Sequence, residues 1–174
     1  PKKPVFAKIE YILLPDYNST GTVKTLILNE LRNADEICWV CRTEQEIKDF
    51  IADLILNDLL LIEKRLENIQ KEQIKKYTPA REKDKSLMEL CKKHLETGGV
   101  VSGLNLNAEQ TVLMRNYQFF TAKPIAFILN VPEGENNQNC QPPAGYLCIP
   151  ICISLEEELS LLDETDRHKF NAEM

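Results

Sequence analysis

Glycine is scarce in this chain, with six among 174 residues. None stands in a Gly-x-x-x-x-Gly-Lys-Ser/Thr arrangement. The sequence therefore has no loop whose backbone amides cradle phosphates, and no accompanying lysine and magnesium-binding hydroxyl. Histidine is rarer still. With only His94 and His168, a mixed Cys/His zinc site is poorly supported. No apolar run reaches the roughly 18 residues that span a bilayer, and no secretory signal is recognisable, so no membrane partner is expected. Positive charge is in deficit: the net charge of −6 excludes general nucleic-acid binding by the whole surface and leaves room only for a local basic patch. A starting methionine is absent too, and a chain opening at Pro1 is expected to be an excised or processed piece.

What is present describes a folded protein. Hydrophobic residues make up 43% and charged residues 28%, a balance that permits a buried core. A chain of this length is ordinarily one domain. The six cysteines, Cys38, Cys41, Cys91, Cys140, Cys148 and Cys152, fall mostly in apolar stretches, as small buried hydrophobes do in a reducing cytoplasm. Cys38-Trp39-Val40-Cys41 has the spacing of a redox motif but lies inside a β-like run, where such motifs do not sit.

The longest signal runs from Glu44 to Thr97. Ile51, Ile55, Leu59, Ile62, Leu66 and Ile69 alternate at four and three residues, the spacing of a coiled-coil seam. Leu87, Leu90, Cys91, His94 and Leu95 repeat it. Between them Thr78-Pro79 stops one helix and caps the next. The sequence predicts an antiparallel α-helical coiled-coil hairpin, residues 44–97, inserted into an α/β domain made of 1–43 and 98–174. Strands are predicted at Val5–Leu14, Ile37–Cys41, Pro124–Leu129 and Tyr146–Ile153. Helices are predicted at Val23–Arg32, from Asn107 to about Asn116, and from a Ser154 cap to about Leu162. Strands alternating with helices imply a mainly parallel sheet.

Ligands of open parallel sheets bind at the loops leaving the carboxyl ends of strands. Here these loops are Leu13-Leu14-Pro15-Asp16, Asn130-Val131-Pro132-Glu133 and Cys152-Ile153-Ser154. Asn130 and Glu133 offer an amide and a carboxylate suited to a purine edge. By themselves they equally describe an ordinary polar loop.

Several segments sharpen this. Ala34-Asp35-Glu36-Ile37, Asp53 to Leu59 followed by Ile62-Glu63-Lys64-Arg65-Leu66, Thr121-Ala122-Lys123-Pro124, and Ile149 to Cys152 followed by Leu155 to Leu159 occur in this order. The chain resembles the Obg-related ATPases of the YchF type, in the translation-factor class of P-loop NTPases, over nearly its whole length. The resemblance implies a partial P-loop NTPase-like domain that accepts ATP or GTP. Asn130 and Glu133 match the base-recognition motif, and Cys152-Ile153-Ser154 matches the last base-contacting loop, with Ile153 and Ser154 departing from the usual residues. The switch that supports magnesium falls at Leu13 to Asp16 and is degenerate: Leu13 replaces its aspartate and Asp16 its glycine. Hydrolysis and magnesium binding by this chain are therefore not expected. The family's C-terminal TGS domain is not in the sequence.

A second reading comes from the hairpin tip. Lys71, Lys75, Lys76, Arg81, Lys83 and Lys85 form a local positive excess that suits contact with ribosomal RNA or an acidic partner. Interspersed Glu67, Glu72, Glu82, Asp84 and Glu89 equally describe a solvated face. A sheet short of neighbouring strands would leave an open edge, which invites a homodimer.

Overall fold

The computed structural model describes residues 8–17, 20–75, 77–134, 146–164 and 166, without the side chains of 73–75. It divides into two compact units, Pro1–Ala34 and Asp35–Met174.

The first unit holds helix α1, Thr22–Asn33. Its apolar stripe buries Ile27 and Leu31. Gly21 precedes it at φ 66°, a left-handed conformation that costs glycine least. Lys24 steadies the entry, its Nζ donating to the Tyr17 carbonyl at 3.2 Å and lying 3.0 Å from the Tyr17 ring centroid. The predicted strand Val5–Leu14 is not found. Residues 8–14 carry no secondary structure, and residues 1–7 lie outside the described ones. Ile9, Tyr11, Ile12 and Leu13 are exposed.

The second unit is built on a parallel sheet of three described strands, β1 (Ile37–Cys41), β2 (Ile125–Asn130) and β3 (Leu147–Ile151), in the order β1-β2-β3. Ile37, Trp39 and Cys41 lie beside Ile125, Phe127 and Leu129, and this row faces the core. Helix α2, Glu44–Lys75, covers it. Phe50 of α2 stacks on Trp39 at 4.0 Å and meets Phe127 edge-on, while Phe127 meets Tyr146. Such contacts add to the area buried.

With 32 residues, α2 is about 48 Å long and reaches well past the sheet. Its far half packs antiparallel on helix α3, Pro79–Glu96, around Ile62, Ile69, Leu87, Met88, Cys91 and Leu95. The predicted hairpin is thus present. Its seam agrees with the heptad reading in part: Ile51, Ile62 and Ile69 are buried as expected, but Ile47, Leu54 and Asp58 are buried as well, whereas Ile55, Leu59 and Leu66 are only partly buried and Leu90 is exposed. A straight helix keeps its face at 3.6 residues per turn, so the stripe drifts off a seven-residue repeat.

The helix ends follow local chemistry. Thr43 Oγ1 accepts the Glu46 N–H at 3.2 Å, but Glu46 turns to the Arg42 N–H and guanidinium rather than to Thr43. Thr78 caps α3 through the Arg81 N–H, with Pro79 in its first turn. Asn107 and Gln110 form a complete capping box on helix α4, Ala108–Arg115. Helix α5, Ile153–Leu161, starts one residue before the expected Ser154 cap.

Gly98, at φ 80°, ends α3, and its neighbour carries a different constraint. A Cβ on Gly99 would lie 2.4 Å from His94 Nε2, and that nitrogen is hydrogen-bonded to the Val100 carbonyl at 3.1 Å. The rigid imidazole can yield only by leaving this bond. Gly99→Ala is expected to lower stability by about 1–3 kcal/mol, read by urea denaturation. His94→Ala in the same background should recover part of the loss.

The cysteines depart from the uniform buried-thiol reading. Cys41 and Cys91 are buried free thiols, whereas Cys38 is an exposed free thiol. Burial, with a smaller effect from Glu46, pushes Cys41 up to about 11, and burial followed by Asp58 does the same for Cys91. Cys38 and Cys41 stand three apart on one strand, so their side chains leave opposite faces, which removes them as a metal or redox pair. Cys148 is disulfide-bonded rather than a free thiol. Cys140 lies outside the described residues.

Candidate functional site

The carboxyl ends of β2 and β3 meet through one side chain. Asn130, the last residue of β2, accepts the Ile153 N–H on Oδ1 at 3.1 Å, while the Val131 N–H donates to the Ile151 carbonyl at 3.0 Å. Asn130 therefore does the work expected of a serine cap. It satisfies the first N–H of α5 from the neighbouring strand, which is why the helix begins at Ile153. Ser154 instead lies 3.2 Å from Cys152 Sγ. Cys152, Ile153 and Ser154 are half-buried or exposed, so the loop is open to a ligand.

The amide of Asn130 has its Nδ2 donors left for a ligand once Oδ1 is engaged. The first turn of α5 adds backbone N–H groups that no helical carbonyl reaches. Together they present donors at the carboxyl end of a parallel sheet, a surface suited to the acceptor edge of a heterocyclic base. Glu133 stands three residues on, exposed beside Gly134 at φ 81°. Among the described residues, no hydrogen bond joins it to Asn130. Leu13 and Asp16 lie in the first unit, Leu13 99% exposed, in a stretch without secondary structure.

The basic residues of the hairpin are largely matched by acids. Lys71 faces Glu67 at 3.8 Å, Arg81 meets Glu72 at 3.1 Å, Lys83 meets Glu109 at 2.6 Å, and Lys85 faces Glu89 at 3.8 Å. Most of these pairs are exposed and contribute little stability, but they offset the local positive field. The Lys75 and Lys76 side chains lie outside the described residues.

Two buried carboxylates escaped the sequence reading. Asp58 projects from the middle of α2, fully buried. It accepts the Phe120 N–H at 3.0 Å, the Thr121 N–H at 2.9 Å and the Thr121 hydroxyl at 2.8 Å. Thr121 Oγ1 in turn accepts the Val101 N–H at 3.2 Å. Asp84 of α3 divides its oxygens: Oδ2 takes Arg65 Nε at 3.0 Å and Nη2 at 2.7 Å, and Oδ1 takes the Tyr117 hydroxyl. The signal for both was an acid placed on an otherwise apolar helical stripe.

No known family profile matches the chain. Among curated proteins it is similar to the ribosome-binding ATPase YchF of Escherichia coli O157:H7, 28% identical over 137 residues, 74% of this chain and 38% of that protein. The protein of the same name from Bacillus subtilis is 24% identical over 179 aligned positions, 84% of this chain and 47% of the relative. Among solved structures, the Schizosaccharomyces pombe YchF GTPase superimposes with a TM-score of 0.74 at 18% identity, covering 88% of this chain and 48% of that one. The resemblance expected from the motifs thus holds in sequence and in fold. The chain spans less than half the length of these relatives.

Proposed function

We propose that this chain supplies the base-recognition part of a YchF-like nucleotide-binding domain and holds a purine nucleotide at the carboxyl ends of β2 and β3. The observation carrying this reading is the Asn130–Ile153 hydrogen bond, which fixes the two base-contacting loops against one another. Phosphoryl transfer requires positioned groups on the phosphates and the metal. The sequence has neither a glycine-rich phosphate loop nor an acid at Leu13, so binding rests on the base and ribose, independent of magnesium, and no hydrolysis occurs at this chain alone.

Isothermal titration with ATP, GTP and ADP, with and without magnesium, tests this. We expect dissociation constants of about 100 μM for at least one purine, unchanged by magnesium and lost in Asn130→Ala. No heat at millimolar nucleotide overturns the reading.

A second role suits the hairpin. The curated relatives are named ribosome-binding, and α2 with α3 presents a long helical arm. In this reading the chain works in the cytoplasm, with the hairpin contacting ribosomal RNA or an acidic ribosomal surface. Co-sedimentation with ribosomes tests it, with Lys71→Glu and Lys83→Glu expected to weaken pelleting.

A further inference from the structure

The carboxyl end of the sheet continues past Asn130 onto β1. Parallel pairing sets Val40 beside Ile128 and Cys41 beside Leu129. The next position of that register sets Arg42 beside Asn130, about 5 Å away on the neighbouring strand. Cys41 and Leu129 are buried in the core, and the residues that follow them alternate to the opposite face. Arg42 and Asn130 therefore share a face as well as an end of the sheet. Arg42 is exposed, and Glu46 holds it at the strand end: Nε donates to Oε1 at 3.2 Å, Nη2 to the same oxygen at 2.9 Å, and the Arg42 backbone N–H to Oε2 at 2.8 Å. Glu46 engages only part of the guanidinium's fork of donors, and the rest suits an anion.

We propose that Arg42 meets the phosphates of the nucleotide whose base is held at Asn130, a contact beyond base and ribose that rests on the base site proposed above. Two directions lead away from Asn130. Toward α5, Glu156, Glu157 and Glu158 are exposed, and their charge repels a phosphate chain. Toward β1 the same end of the sheet presents a cation. A chain of net charge −6 opposes a polyphosphate in general, so a local positive group decides where it lies. Arginine suits the role because its planar fork matches two phosphate oxygens at once. A well-desolvated bond to a charged group is worth tenfold or more in affinity, but Arg42 is exposed and Glu46 competes for it, so about fivefold is expected here.

Isothermal titration of the chain with adenosine and with ATP, both without magnesium, tests this, with folding of each variant checked by circular dichroism. ATP should bind about fivefold more tightly than adenosine, and the advantage should shrink as salt rises from about 0.1 to 1 M. Arg42→Gln should bring ATP down to the affinity of adenosine and leave adenosine unchanged. Arg42→Lys, which keeps the charge and loses the fork, should retain part of the advantage. Equal affinities in the wild type, or an ATP advantage that survives Arg42→Gln, overturn the inference, while adenosine binding that is lost in Asn130→Ala still upholds the base site. Absence of adenosine binding fails the base site itself, and ATP binding that then still requires Arg42 leaves the phosphate contact standing alone. Silence from both ligands overturns both.

Discussion

Replacing Asp58 with alanine is expected to cost about 3–5 kcal/mol, a large part of the roughly 5–15 kcal/mol that holds such a domain. The carboxylate is fully buried, and three donors converge on it. Two of these are backbone N–H groups at the entry to β2, which cannot turn away when the acceptor is lost. Each buried donor left unpaired costs about 1–3 kcal/mol. Thr121→Val keeps both N–H bonds to Asp58 but removes the hydroxyl and leaves the buried Val101 N–H without its acceptor, so about 1–3 kcal/mol is expected from it. Asp58→Asn keeps the shape but presents N–H toward N–H on one side, and should fall close to the alanine variant. Urea denaturation of the three variants checks the order. An Asp58→Ala loss below that of Thr121→Val contradicts the assignment of this carboxylate as the fastening between α2 and the strand entry.

The second large effect is expected at the hairpin. Asp84→Ala leaves Arg65 and Tyr117 without their shared acceptor, and a cost of about 3 kcal/mol is expected, because Asp84 is nearly buried. The arginine is partly exposed and can turn to water, which places the effect below that of Asp58. A double-mutant cycle of Asp84→Ala with Tyr117→Phe should show coupling above about 1 kcal/mol, and additivity would contradict a direct bond. The pH dependence has a definite sign. Burial, followed by the bond to Asp84, raises Tyr117 to about 12 from 10.0. Its stabilisation is fully present below pH 10 and is lost as pH rises toward 12. Tyr117→Phe should flatten the stability curve in that window only.

Local signals in the sequence located most of the fold. Thr78-Pro79 and the Asn107–Gln110 box acted over three or four residues, and those helices start where they were expected. The strands Ile37–Cys41 and Ile125–Asn130 coincide with the apolar runs 37–41 and 125–129. Longer-range effects were hidden. The segment ending at Leu14 has the composition of a strand, but composition does not supply a pairing partner, and residues 8–14 are unpaired. Local sequence points to Ser154 as the cap of α5, whereas Asn130 reaches the helix from 23 residues away. Asp84, expected on a solvated face, is buried, and neither its bond nor that of Asp58 is legible locally because their partners, Tyr117 and Thr121, lie 33 and 63 residues on. Of the expected site residues, Asn130 is joined to Ile153 by one hydrogen bond and Ser154 lies beside Cys152.

The central claim is that a purine base is held where Asn130 joins β2 to α5. Its most direct test is an amide NMR titration of the 15N-labelled chain with ATP and GTP. The Ile153 backbone amide, the Asn130 side-chain NH2 and the Ser154 amide should shift first and saturate together, with hairpin amides unmoved. Nucleotide-induced shifts confined to the hairpin, or none at millimolar nucleotide, would contradict the account.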